Sequence, residues 1–167
     1  MDEKTEIFCC YAHKHEDQQL LSKLKTHLAS FEREGLINIW HDADIILLLI
    51  SPSFIASEYC YSREMKRAME RHNQGEACVI PIILRPVSWH NAPFGKLQAL
   101  PIEAKPVTDP GWPSLDDAFL NVLYSFFSSN NALPEARQNT TSITIELPYP
   151  PMSTFFLTSI QIVQMPI

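Results

Sequence analysis

Two unbroken apolar runs frame an amphipathic segment in the middle of the chain. The first is Asp44-Ile-Ile-Leu-Leu-Leu-Ile and the second is Ala77-Cys-Val-Ile-Pro-Ile-Ile-Leu, with Ser57 to Asn73 between them. Runs of this length with no polar alternation are strands buried on both faces, as in parallel sheets, and the pair with its helix reads as a β-α-β unit. Ahead of it, Glu6 to Tyr11 reads as a short strand. His15 to Glu34 reads as a helix, because Leu20, Leu21, Leu24, Leu28 and Phe31 recur at helical spacing on one face. Glu34-Gly35 offers a left-handed stop. In the segment Ser57 to Asn73, Tyr61, Met65, Ala68 and Met69 form the expected inward face, and Asn73-Gln74-Gly75 ends it.

Further along, Pro81 inside its strand requires an edge position or a bulge. Arg85 to Leu100 reads as a long loop that Trp89 and His90 help to pack, and Lys105 to Thr108 as a short fifth strand. Pro113 to Phe127 reads as a closing helix, with Ser114 as its cap ahead of Asp116 and Asp117. After Ser128 the composition shifts to Ser, Asn, Thr and Pro. Residues 129–167 therefore read as a linker-like tail, expected to be disordered, behind a domain at 1–128. The last apolar run, Phe155 to Ile167, has no evident partner element.

Composition narrows the function classes. The chain has 167 residues, 46% of them hydrophobic and 19% charged, with a net charge of -6. That is enough for one globular core. No basic stripe stands out, so nucleic acid is not an expected partner. The charged N-terminus has no signal-peptide core, and the run Ile45 to Ile50 is far too short to span a bilayer. The expected location is the cytoplasm, with no membrane partner. Cys9, Cys10, Cys60 and Cys78 include no C-x-x-C pair and read as buried free thiols, with adjacent Cys9 and Cys10 on opposite strand faces. His13 and His15 form an H-x-H without further ligands at metal spacing, so no metal site is expected. Ser51-Pro-Ser lacks the glycines of a nucleophile elbow and reads as a strand-to-helix turn.

In order along the chain come Ile7-Phe-Cys-Cys-Tyr-Ala-His-Lys, Glu32-Arg-Glu-Gly-Leu-Ile, Ala43-Asp-Ile-Ile-Leu-Leu-Leu-Ile-Ser-Pro and Tyr59-Cys-Tyr with Glu64-Met. Val79-Ile-Pro-Ile-Ile-Leu-Arg-Pro, Pro93-Phe-Gly-Lys-Leu-Gln-Ala-Leu-Pro and Lys105-Pro-Val-Thr follow. This succession resembles the TIR (Toll/interleukin-1 receptor) domain in its bacterial form, over about residues 6 to 127. The resemblance implies an α/β fold with a flavodoxin-like parallel sheet of five strands. It implies signalling by TIR-TIR association, in a bacterial defence or innate-immunity pathway. The alternative it carries is cleavage of NAD+ by an NAD+ nucleosidase, a hydrolase that needs no cofactor and takes NAD+ as its substrate. The Glu146-Leu-Pro-Tyr-Pro-Pro piece resembles the linker to an NB-ARC ATPase domain, although no phosphate-binding loop follows it.

For the enzyme alternative, the resemblance places the catalytic carboxylate at Glu64. Breaking the nicotinamide-ribose bond builds an oxocarbenium-like cation, which a nearby carboxylate stabilises. Tyr11, Ala12 and His13 match residues lining the same pocket, and Trp40 and Asp42 match the start of the loop above it. From the residues alone, Glu64 can also be a surface glutamate beside Arg67.

One departure from the family is large. Only His41-Asp42-Ala43 separates the candidate strand Leu36 to Trp40 from Asp44. Parallel neighbours need a crossover of about a dozen residues. The loop and helix between the second and third strands of the family are thus missing. The expectation is a shortened sheet in which Leu36 to Trp40 is irregular and one flank is left exposed. In the family the missing loop is an association surface and covers the NAD+ pocket, so a third reading is a non-functional remnant.

Overall fold

The computed structural model describes residues 6–33, 44–129 and 161–166. The chain forms an open parallel sheet with helices on both faces, an α/β arrangement of the flavodoxin-like kind. Strand β1 (Glu6–Tyr11) leads into helix α1 (His15–Arg33), and β2 (Asp44–Ile50) follows. After β2 come the short helix α2 (Pro52–Ile55), a 3-10 turn at Glu58–Tyr61 and helix α3 (Arg63–Asn73). Strand β3 (Ala77–Ile83), a 3-10 turn at Ile102–Ala104, helix α4 (Leu115–Ser129) and strand β4 (Gln161–Pro166) complete the described elements. The spatial order is β3-β2-β1-β4 and every pairing is parallel.

Strand alternation builds two buried layers from one sheet. Ile7, Cys9, Tyr11, Ile45, Leu47, Leu49, Ile80 and Ile82 face Leu20, Leu24 and Leu28 of α1 and Phe119, Val122 and Phe126 of α4. Cys10, Ala12, Ile46, Leu48, Ile50, Val79 and Ile83 pack on the other side against Phe54, Cys60, Met65, Ala68 and the loop residues Trp89 and Phe94. Cys9 and Cys10 lie in different layers, as alternation requires. All four cysteines are free thiols, with Cys78 half-buried and the others buried. The side chain of Phe31 and the stretch Leu36 to Trp40 lie outside the described residues.

Four expectations change. The segment Ser57 to Asn73 is not one helix. Ser62 is extended (ψ 170°) and its hydroxyl accepts from the Met65 amide at 3.2 Å, so α3 restarts there in a new phase. Met65 and Ala68 stay inward, but Tyr61 falls before the restart and is 66% exposed. Lys105 to Thr108 is a turn and not a strand. Pro106 has no amide to donate to a ladder, and its carbonyl instead takes the Asp109 amide at 2.9 Å. Beside β3, Leu100 forms a single bridge to Ile82, while the Val107 and Thr108 amides donate to the Ile83 and Leu84 carbonyls at 2.8 and 3.1 Å without forming a strand. Pro81 therefore sits in the outermost strand, as its missing donor demands, and accepts from the Leu100 amide at 2.8 Å. The flank of β1 is not open and the last apolar run does have a partner: Gln161–Pro166 pairs along all of β1, from Glu6↔Gln161 to Tyr11↔Pro166.

Other local signals are as the sequence dictates. Gly75 takes φ 75° behind α3 and donates to the His72 carbonyl at 3.1 Å. Ser114 caps α4, accepting from the Asp117 amide at 3.1 Å while donating to the Asp117 carboxylate at 2.6 Å. Helices α1 and α4 are joined by Asp116, which lies 3.1 Å from His27 Nε2 and 3.2 Å from Lys23 Nζ. Hydrogen bonds from His27 and then Lys23 lower the Asp116 pKa.

Candidate functional site

Open parallel sheets bind ligands outside the carboxyl ends of their strands, where successive helices leave toward opposite faces. Here that place lies between β1, whose helix α1 packs on one face, and β2, whose successor α3 packs on the other. The residues at this crevice are Tyr11 to Asp17 after β1 and Ser51 to Phe54 after β2. Arg85 arrives from the end of β3.

Three chain segments meet there on one buried carboxylate. Asp17 is fully buried, and so is Ser51. The Ser51 hydroxyl donates to Asp17 Oδ2 at 2.6 Å and accepts the Phe54 amide at 3.1 Å, capping α2. Arg85 Nε donates to Asp17 Oδ1 at 3.0 Å. The rest of that guanidinium is also engaged, with Nη1 donating to Glu16 at 2.6 Å and Nη2 to the Ser53 hydroxyl at 3.2 Å. A carboxylate taken out of water needs such partners, and here each of its two oxygens has one. Outside the network lies a cleft of about 730 Å³, lined in part by Gln19, Lys23, Pro52 and Thr108.

The sequence-predicted residues are partly gathered at the same end. Tyr11 is buried at the end of β1, and its ring stacks on exposed His13 with centroids 5.2 Å apart. Ala12 is buried in the opposite layer together with Met65 of α3. The 3-10 turn before α3 is tied to β1 by Cys10 Sγ and Tyr59 Oη, 3.2 Å apart. Glu64 is the second residue of α3, and its side chain lies outside the described residues. Trp40 and Asp42 lie outside them too. His15 Nε2 lies 3.0 Å from Gln19 Nε2 on the first turn of α1. Among the described residues no group of three or more His, Cys, Asp or Glu could hold a metal ion, and no helix is long and apolar enough to cross a membrane.

Sequence reasoning passed over Asp17, Ser51 and Arg85 as a unit. Asp17 reads as an ordinary acidic residue in a helix first turn, and Arg85 as the end of a strand. A usable signal was present in Ile50-Ser-Pro-Ser, where a serine directly before a proline marks a capped helix start that needs the hydroxyl. The cysteines lack the setting of a nucleophile. Burial pushes the Cys9 thiol up to about 12 and Cys78 to about 11, and raises Cys10 and Cys60 as well.

No family model matches the chain, and no solved structure matches it with significance. Among curated proteins it is similar to the uncharacterized protein y4lF of Sinorhizobium fredii (strain NBRC 101917 / NGR234). The two are 48% identical over an alignment of 131 positions that takes in 67% of this chain and 40% of the relative. The chain thus spans about two fifths of the length of that relative.

Proposed function

We propose that this chain is a TIR-type signalling module that acts through protein association, in the cytoplasm of a bacterium and in a defence or regulatory pathway. The observation that carries this reading is the saturation of the switch-point crevice. Asp17, Ser51 and Arg85 occupy the place where an open α/β sheet would receive a ligand, and they satisfy one another there. Their chemistry is spent in holding three segments together. Elsewhere on the described surface, Tyr61 stands 66% exposed on the turn before α3. An exposed ring on a rigid turn is the usual material of a protein contact.

The test is sedimentation velocity of the full chain across a wide concentration range, beside Tyr61→Glu. Association that Tyr61→Glu weakens at least tenfold supports the reading. Unchanged association in that variant removes Tyr61 from the surface, and a monomer at every concentration sinks the reading.

A second reading, NAD+ cleavage, is favoured by one further observation: Tyr11, Ala12 and His13 lie at the carboxyl end of β1, and the turn that leads into α3 is tied to β1 through Cys10 and Tyr59. In this reading Glu64 is the carboxylate that stabilises the ribosyl cation. Nicotinamide release from NAD+ that Glu64→Ala abolishes would establish it, whereas equal turnover in that variant would reject the assignment.

A further inference from the structure

We propose that the cleft outside the Asp17 network binds a small organic carboxylic acid, and that Glu16 holds the place of the ligand's carboxylate. The site lies apart from the Tyr61 turn, and the proposal does not depend on the TIR reading.

The cleft has a volume of about 730 Å³, inside the range of about 300–1,000 Å³ that small-molecule sites occupy. Leu20, Pro86 and Leu115 bring apolar surface to it from three separate segments. The charged residues that line it are Glu16, Lys23 and Arg85. Cations therefore outnumber anions around an apolar surface. That combination suits a ligand with an apolar body and one negative group.

The Arg85 guanidinium marks where that group would sit. Its inner side is fixed, because Nε donates to Asp17 Oδ1 at 3.0 Å and the Asp17 side chain is fully buried. Its outer side is held differently. Nη1 donates to Glu16 Oε2 at 2.6 Å, and the Glu16 side chain is 69% exposed. A carboxylate thus already occupies the outer face of this arginine, on a side chain that can turn into water. Exposed ion pairs contribute little to stability, so a second carboxylate can take the position at small cost. The ligand also buries its apolar body in the cleft, which favours the exchange. The bonds from Arg85 to Asp17 and Ser53 stay in place throughout.

Lys23 favours the same ligand. It follows Glu16 by two turns on one face of α1, about 10 Å along the axis. Its side chain is half-exposed and lies 3.2 Å from Asp116, which is also exposed. The ammonium is therefore not sequestered, and its field favours an anion in the cleft.

The experiment is calorimetric titration of the full chain with benzoate, phenylacetate and octanoate, each beside its neutral primary amide. At least one acid is expected to bind saturably, one per chain, and at least tenfold more tightly than its amide. Glu16→Gln removes the carboxylate that holds the position, so it should tighten the acid at least threefold and leave the amide unchanged. Lys23→Gln should weaken the acid at least twofold. Both side chains are largely exposed, so both variants should melt like the wild type. Tyr61→Glu should bind the acid as the wild type does, which separates this site from the association surface. Three results would each overturn the proposal: no saturable binding of any of the acids, equal affinity for acid and amide, or a Glu16→Gln variant that binds the acid no more tightly than the wild type.

Discussion

The Ser51 hydroxyl and the Asp17 carboxylate lie 2.6 Å apart, and neither side chain reaches solvent. Ser51 follows β2 directly and Asp17 lies in the first turn of the helix that follows β1. One short hydrogen bond thus pins the carboxyl ends of two adjacent strands, and Arg85 adds the third.

Removing the carboxylate should be severe. Asp17→Ala leaves the Ser51 hydroxyl without its acceptor and Arg85 Nε without its partner in a largely closed site. Truncating one member of a buried ion pair costs about 3 kcal/mol or more. Asp17→Asn keeps an acceptor and should cost less. Ser51→Ala loses the cap of α2 as well as the donor to Asp17, about 1–2 kcal/mol. Urea unfolding of the three single variants and the Asp17→Ala/Ser51→Ala double variant measures these terms. Strict additivity of the two alanine changes would show that the pair does not act as a unit.

Acidification should weaken the fold through His72. Its Nδ1 accepts the Val79 amide at 3.1 Å, and burial holds its pKa below the ordinary 6.5. The unfolded chain takes up a proton as pH falls through 6.5, while the folded imidazole resists until a lower pH. This contribution to stability is therefore whole above pH 6.5 and declines below it. His72→Asn keeps an acceptor and does not titrate. Its thermal midpoint should fall less than that of the wild type between pH 7.5 and about 5.5; equal falls would exclude His72 as the source.

The thiols should be inert while the protein is folded. Cys9 is pushed up to about 12 by burial and by the neighbouring Cys10, and Cys78 to about 11 by burial. Since the thiolate is the reactive form, iodoacetamide at pH 8 should label them slowly in native protein and rapidly in urea. Fast native labelling of Cys9 would contradict the described packing.

Gly95 should not accept a side chain. A Cβ there would lie 2.0 Å from the His90 carbonyl oxygen, a backbone atom that cannot swing aside. Gly95→Ala should therefore cost about 1–3 kcal/mol as the loop between β3 and Leu100 is forced open. The same loop places Trp89 and Phe94 in the core, so near-UV circular dichroism should change together with the loss in stability.

Much of the architecture was legible along the chain. The apolar runs at Asp44 to Ile50 and Ala77 to Ile83 gave strands because burial on both faces leaves no polar alternation. The leucine spacing gave α1, and the caps at Ser114 and Gly75 marked helix ends, because these signals are local. Even the position of Pro81 followed from its missing amide. Local pattern did not reveal the break at Ser62, where a side-chain cap restarted the helix and turned Tyr61 outward. Nor did it reveal that Pro106 converts an apparent strand into a turn.

The sequence by itself determined what each segment could bury and which residue types were available for chemistry. Only the tertiary structure decided which residues meet. Asp17, Ser51 and Arg85 are separated by tens of positions and carry no joint pattern; the sheet brings them to one edge, where burial forces them to satisfy one another. Likewise Gln161–Pro166 is an apolar run with no period of its own. Its role came from the open side of β1, because strand pairing is a contact between distant backbones and is not encoded in either strand alone.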